Sequence, residues 1–261
     1  IESYWLYWGP SDQTAASRSQ MEQQFSHLAE TLLFGGIDFD YLCEAELPHL
    51  CETGGNPRQV GKMAYETVLI PPVRTLRAST IQLLEAFQRA GGRLIFLGDC
   101  PDYVDAEPSD AAQNLYQSAH SIAFDATSIL SALEKERFLD IRQPDGRRSD
   151  RLLHQLRRDG DCLWLFICNG KNPDSPDVDP APQLRFTLRG EYILTLYDTM
   201  TGAITPLPAQ YGKQQTSFVR TWHMHDSLLL RLEPGRNLAE IPGPIVAVRQ
   251  PDMRFGLTPV T

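Results

Sequence analysis

The sequence predicts an α/β domain followed by an antiparallel β-sandwich. Between Tyr65 and Cys100 a strand, a helix and a second strand follow one another, and both strands are largely apolar. Continuous apolar strands joined by a helix are typical of a parallel sheet that helices cover on both faces. Near residue 148 the period changes, and about seven short alternating segments follow, which is typical of a sandwich.

The central strand, helix and strand have clear boundaries. Residues 67–70 form a short apolar run that ends at Pro71, because proline cannot donate a hydrogen bond to a sheet ladder. Ser79 and Gln82 have the spacing of a capping box, which predicts that the helix begins at Ser79. The apolar face of the helix is formed by Ile81, Leu83, Leu84 and Phe87, and Gly91–Gly92 ends it before the buried strand 93–97.

The remaining elements of the first half flank this unit. Apolar spacing predicts helices over residues 20–34, 110–120 and 125–133, with Asp125 as the N-cap of the last. Strands are expected at residues 1–8, 37–41 (an edge strand), 122–124 and 138–141, the last closing this domain. The polar run 143–150 contains a proline and an Asp-Gly turn, and it is predicted to be the linker.

The second half is predicted to be a sandwich without helices. Its strands are expected at residues 152–156, 162–168, 184–188, 192–197, 203–207, 218–222 and 228–232, with hairpin turns at Asp159–Gly160 and Thr201–Gly202. The predicted organisation is an α/β domain over residues 1–146, a sandwich over 147–240, and a tail or start of a further domain over 241–261. Because the chain starts inside a structured run at Ile1, we expect it to be part of a longer protein.

Composition excludes several classes of partner. A net charge of −9 and a pI near 5.1 disfavour nucleic acid and anionic membranes, which select for concentrated Lys and Arg. No segment approaches the length of a membrane span, and the first residues lack the basic and apolar regions that are typical of a signal peptide. The five cysteines are odd in number and form no C-x-x-C pair, so reduced thiols in the cytoplasm are expected.

A candidate crevice lies where open α/β sheets bind ligands, at the carboxyl ends of the strands. The residues predicted to border it are Glu44, Glu46, Pro71, Asp99, Cys100 and Asp102. Glu44 and Glu46 could serve as acid and nucleophile in glycoside cleavage. The favoured interpretation is that one of them caps the short helix near residues 46–50 while the other faces solvent.

Cys100 follows a buried strand, the position of the nucleophile in glutamine amidotransferases and related hydrolases. Pro101 replaces the small residue that a nucleophile elbow needs, and no His-x-Glu follows to complete a triad. A structural or incidental thiol is therefore the favoured interpretation of Cys100.

Aromatic residues in the second half could stack on sugar rings. Trp222 and Tyr211 are the preferred candidates, whereas Trp164 lies in an apolar run and is expected in the core. His223 and His225 fall on one face of a strand, but no third metal ligand is evident, so two surface imidazoles are expected rather than a metal site.

Taken together, the two halves of the chain resemble the non-catalytic middle of large bacterial glycoside hydrolases. The segments GIDFDYLCEAEL (36–47), YETVLIPPVRTL (65–76) and GGRLIFLG (91–98) resemble the glutamine-amidotransferase-like domain known from β-galactosidases as the trimerisation domain. LWLFICNG (163–170) and YDTMTGAITPLP (197–208) resemble the sandwich that follows in such enzymes. The resemblance implies a flavodoxin-like, class I amidotransferase-like sheet and an immunoglobulin-like sandwich.

The resemblance implies an accessory role without catalytic residues. The expected partners are the catalytic barrel of a parent enzyme, its carbohydrate substrate and, through the trimerisation-type domain, further copies of the chain. No cofactor is expected. Two alternatives stay open, namely a carbohydrate-binding module and a Cys-dependent, amidotransferase-like hydrolase that uses Cys100.

Overall fold

The computed structural model describes residues 9–51, 55, 58–172 and 177–236, and shows a mixed α/β half followed by an antiparallel β half. The helices are α1 (Ser11–Phe34), α2 (Leu47–Leu50), α3 (Ala78–Arg89), α4 (Asp110–Ser118) and α5 (Ala126–Ala132). The strands of the first half are β1 (Arg58–Val60), β2 (Met63–Tyr65), β3 (Thr67–Ile70), β4 (Thr75–Leu76), β5 (Arg93–Leu97), β6 (Tyr103–Val104), β7 (Glu107–Pro108) and β8 (His120–Ile122). Those of the second half are β9 (Leu139–Arg142), β10 (Leu152–Asp159), β11 (Cys162–Asn169), β12 (Gln183–Arg189), β13 (Tyr192–Tyr197), β14 (Ile204–Leu207), β15 (Gln210–Gly212), β16 (Gln215–Thr221) and β17 (Ser227–Pro234).

A parallel sheet of order β3-β5-β8 forms the centre of the first half. Helix α3 connects β3 to β5 and packs its buried residues Ile81 and Leu84 against one side of this sheet. Helices α1 and α5 cover the other side through Leu28, Leu32 and Ile129. Ile95 is fully buried between these layers. The continuous apolar run of β5 is therefore explained by helices on both faces.

Two small sheets flank this centre. Strands β1 and β2 form a hairpin, and β6 pairs with β4 in parallel and with β7 antiparallel. The turn between β6 and β7 contains Asp105 and Ala106, both in the left-handed region. None of these short strands was predicted.

Nine antiparallel strands form the described part of the second half. One sheet has the order β10-β11-β17-β13-β14 and the other the order β15-β16-β12-β9. Alternate residues of the two sheets meet in a single core that includes Leu165, Phe186, Phe218 and Leu230. The predicted turn residues Gly160 and Gly202 adopt the left-handed conformation that these hairpins require.

The end of α1 contacts the start of the second half. Arg137 is buried, and its Nε donates to the carbonyl oxygen of Gly35 at 2.7 Å. Its Nη1 also pairs with Glu134. A Cβ on Gly36 would meet the carbonyl oxygen of Leu139 at 2.8 Å, so only glycine permits this approach. We name this contact region the seam.

Three structural expectations were wrong. Residues 138–141 were expected to close the α/β domain, but β9 pairs with β12 in the second half. The reason is visible in its alternation, since Leu139 and Ile141 are buried in the sandwich core while Asp140 bonds to arginines outside it. Residues 37–41 were expected to form an edge strand, yet they have no strand pairing among the described residues.

The third error concerns the start of α3. The helix begins at Ala78, with Arg77 at the N-cap position, so Ser79 lies inside the first turn and forms no capping box. The expectations for residues 1–8 and 241–261 lie outside the described residues. Among the residues that are described, no helix combines the length and apolar character needed to cross a bilayer.

Candidate functional site

The predicted crevice edge is formed by the chain segments that follow β3 and β5. The two strands are parallel neighbours, with Ile70 opposite Phe96, so their carboxyl ends lie side by side. Gly98 follows β5 with a φ of +75° and lies against Pro72 and Phe124. Half-buried Pro71 and exposed Asp99 therefore follow neighbouring strand ends at the same edge of the sheet.

Asp102 is held at this edge by Arg74, which the sequence did not indicate as a site residue. Its Oδ2 accepts from Arg74 Nη2 at 2.9 Å, and its backbone nitrogen donates to the Arg74 carbonyl oxygen. The Arg74 guanidinium also lies 4.9 Å from the ring centre of Tyr103. The Asp102 carboxylate is thus engaged in linking the two loops, which is a structural role.

Glu44 caps the crossover helix α3 from a distant loop. Its Oε2 accepts from the backbone nitrogen of Arg77 at 2.9 Å, and Asp105 Oδ1 accepts from the nitrogen of Ala78 at 3.3 Å. Two carboxylates at a helix N-terminus satisfy unpaired donors and interact favourably with the helix dipole. Glu46 takes the N-cap position of α2 without a side-chain capping bond and is exposed. The favoured prediction that one of the two carboxylates caps the short helix is wrong, because Glu44 bonds at the start of α3 instead, while Glu46 is exposed as expected.

Cys100 does not have the surroundings of a nucleophile. Burial raises the pKa of its thiol, and the nearby Asp102 carboxylate raises that pKa further, so less of the reactive thiolate is present. Helix α4 begins only at Asp110, with Ser109 as its N-cap, so no helix N-terminus directly follows the thiol. Strand β5 precedes Cys100, but the helix that would complete a nucleophile elbow does not directly follow it.

The four predicted crevice carboxylates differ in their partners. Glu44 accepts from a backbone nitrogen and Asp102 from an arginine, while Glu46 and Asp99 are exposed. Within residues 9–51, 55, 58–172 and 177–236, no three His, Cys, Asp or Glu side chains lie close enough to hold a metal ion.

The two predicted stacking residues do not form a common platform. Trp222 is 4% exposed and packs against Phe186 in the core, and its Nε1 donates to Asn169 Oδ1 at 3.1 Å. Tyr211 is half-buried on the strand opposite the fully buried Thr216. The preference for Trp222 over Trp164 is thus reversed, because β11 turns Trp164 outward between buried Leu163 and Leu165.

His223 is held by carboxylates rather than by its neighbour His225. Its Nδ1 lies 2.7 Å from Asp179 Oδ2, and its backbone nitrogen donates to Asp226 Oδ2 at 2.9 Å. The hydrogen bond to His223 lowers the pKa of Asp179 below its usual range. This pair links the loop that contains Asp179 to the end of the sandwich.

No protein-family model matches the chain, and no curated protein matches its sequence. Among solved structures, the rhamnosidase from Novosphingobium sp. PP1Y is similar with a TM-score of 0.55 at 16% identity, covering 81% of this chain and 21% of that one. The alpha-L-fucosidase isoenzyme 2 from Paenibacillus thiaminolyticus is similar with a TM-score of 0.50 at 10% identity, covering 80% of this chain and 45% of that one.

The apo exo-carrageenase GH42 from Bacteroides ovatus has a TM-score of 0.46 at 12% identity over 79% of this chain and 26% of that one, too low a score to support an argument. The chain spans less than half the length of each of these enzymes. At such identities the likeness concerns the fold, and the chain shares that fold with regions of glycoside hydrolases.

Proposed function

We propose that the chain is an accessory, non-catalytic part of a glycoside hydrolase that acts on carbohydrate. Its role is to support the catalytic barrel, to shape substrate access or to mediate subunit assembly. The observation that carries this proposal is the fold likeness to the rhamnosidase, which extends over 81% of this chain but over only 21% of that enzyme. The crevice residues agree with it, because Glu44 and Asp102 form structural contacts.

A finer fold assignment belongs to the same proposal. The parallel β3-β5-β8 sheet with helices on both faces supports a flavodoxin-like, class I amidotransferase-like domain over residues 1–146. The two antiparallel sheets support an immunoglobulin-like sandwich over residues 147–240, with β9 added from the preceding segment. Residues 241–261 are proposed to be a tail or the start of a further domain.

The proposed partners are a catalytic barrel, the carbohydrate substrate and other copies of the chain, with neither nucleic acid nor membrane among them. A cytoplasmic location is proposed because all five cysteines are free thiols. Disulfides are typical of oxidising compartments, so unpaired cysteines favour a reducing one.

Hydrolysis of a panel of nitrophenyl glycosides tests the accessory role. The purified chain and a full-length parent protein are assayed side by side with rhamnosides, fucosides and galactosides. Activity in the parent alone is expected and would identify the sugar. Turnover by the isolated chain that is lost in Glu44→Gln or Asp102→Asn would overturn the proposal.

The Cys100 hydrolase is the weaker alternative, because the thiol pKa is raised and no elbow is present. The carbohydrate-binding alternative is favoured by a separate observation on the sandwich. Aromatic and aliphatic side chains project from the outer face of its five-stranded sheet, at positions other than Trp222 and Tyr211.

A further inference from the structure

The outer face of the five-stranded sheet carries large apolar side chains. In β11 and β17 the residues Leu165 and Leu230 point into the core, so their neighbours in sequence point to the opposite face. Phe166 is 36% exposed there, and Ile204 on β14 is 60% exposed. The outer face of a sandwich sheet is ordinarily polar, so side chains of this size at its surface require an explanation.

The strand register places four of these side chains in one line. Phe166 lies opposite Leu229, Leu229 lies opposite Tyr197, and Tyr197 lies opposite Ile204. We name these four residues the outer row. Since neighbouring strands are about 4.8 Å apart, the row extends for roughly 15 Å across four strands.

Trp164 adjoins the outer row, and its neighbours across the adjacent strands are polar. Its ring contacts the Tyr197 ring edge-on, with 4.8 Å between the ring centres. Trp164 lies opposite Arg231, and Arg231 lies opposite Thr195, so these residues form the next line of side chains. Arg231 also pairs with Glu233 at 3.3 Å. The row is therefore bordered along this side by hydrogen-bonding groups.

The width of the apolar strip distinguishes between two kinds of occupant. A stable protein interface buries about 800 Å² per partner around a core that is depleted of charge, whereas the outer row is one residue wide and its adjoining line combines Trp164 with the charged Arg231. A carbohydrate chain is itself a narrow ribbon with apolar ring faces and a rim of hydroxyl groups. Rigid aromatic surface beside a few polar groups matches such a ligand.

We propose that the outer row, together with Trp164, binds a carbohydrate chain across the five-stranded sheet. Trp164, Phe166 and Tyr197 supply apolar contact for the sugar rings, while Arg231 and Thr195 donate to or accept from the hydroxyl groups. This inference rests on the proposed function in taking a carbohydrate as the ligand, but it assigns the binding to residues outside the crevice.

Affinity gel electrophoresis in soluble galactan, rhamnogalacturonan and fucoidan tests this inference. Retardation of the unmodified chain by at least one polysaccharide is expected, with calorimetric titration to give its affinity. Phe166→Thr and Ile204→Thr are expected to weaken that affinity at least tenfold each, because threonine keeps the strand preference but removes the apolar contact. Val219→Thr is the matched control, since Val219 is 40% exposed on the outer face of the other sheet and should bind normally.

Three outcomes would overturn the inference. Retention of full affinity in the Phe166 and Ile204 variants would place the sugar elsewhere, and absence of retardation for the unmodified chain would exclude binding of these probes. Sedimentation of a dimer that Ile204→Thr dissociates would make the row an interface between copies. The glycoside assay is independent of all three, so a failed binding site leaves the accessory role to be judged by that assay.

Discussion

Glu44 Oε2 lies 2.9 Å from the backbone nitrogen of Arg77, so a carboxylate 33 positions away in the chain caps the crossover helix α3. Loss of such a cap usually costs about 1 kcal/mol. We therefore expect Glu44→Ala to lower the free energy of unfolding by about that amount, measured by urea denaturation at pH 7 with circular dichroism. Catalysis is not involved in this expectation.

Glu46→Ala provides the control for that measurement. Glu46 is exposed and makes no capping bond, so its replacement should change the free energy of unfolding by less than about 0.5 kcal/mol. An equal loss in both variants would show that the bond between Glu44 and Arg77 does not stabilise the helix.

Removal of Arg137 should destabilise the seam. Its buried side chain donates to the Gly35 carbonyl oxygen, and Arg137→Ala leaves that buried acceptor without this donor. We expect a loss of roughly 2 kcal/mol in the free energy of unfolding. Thermal and urea denaturation would measure the loss, and Arg147→Ala, which removes an exposed guanidinium, should leave both midpoints unchanged. Similar midpoints for the two variants would contradict the role given to Arg137.

Low pH should lower the free energy of unfolding through protonation of His154. Burial lowers the pKa of this imidazole, and only the distant effect of Asp38 opposes the shift. The unfolded chain takes up the proton near pH 6.5 while the folded chain resists it, so stability is full above that pH and falls as the pH drops below it.

Urea midpoints at pH 7.5 and pH 5.5 measure this contribution. His154→Gln keeps a polar side chain that does not titrate, and we expect its midpoint to fall less between the two pH values than that of the unmodified chain. Parallel decreases would mean that other groups cause the pH dependence.

Cys100 should react slowly with alkylating reagents. Its raised thiol pKa reduces the thiolate fraction, and the side chain is only partly accessible. In a limited iodoacetamide reaction at pH 7.5, peptide mass mapping should find Cys100 modified more slowly than the exposed Cys43. Faster modification of Cys100 would restore the nucleophile hypothesis.

Local patterns predicted the regular elements well. The capping oxygen of Asp125 accepts from the Ser128 nitrogen at 2.9 Å, as expected for an N-cap. Alternation and turn residues located β10 to β14, because antiparallel strands with one buried face leave a period of two in the sequence. Such features depend on residues close together in the chain.

Contacts between distant residues were not predictable in the same way. The bond from Glu44 to Arg77 and the pairing of Arg74 with Asp102 depend on how separate loops meet. The expectations for Trp164 and Trp222 were exchanged. Trp164 lies in an apolar run and Trp222 stands beside His223, but strand register determines which ring faces the core. For β9, the period of two was present in the sequence, but its position before the linker outweighed that pattern.

Strand β9 interlocks the two halves of the molecule. It precedes the polar turn at residues 143–147, yet Leu139 and Ile141 fill the sandwich core opposite Leu188 and Phe186. A protease cut within that turn would leave the first fragment holding a strand that the second fragment needs. The two fragments should consequently remain associated after cleavage, as in donor-strand exchange, and expression of the sandwich alone requires a start before Phe138.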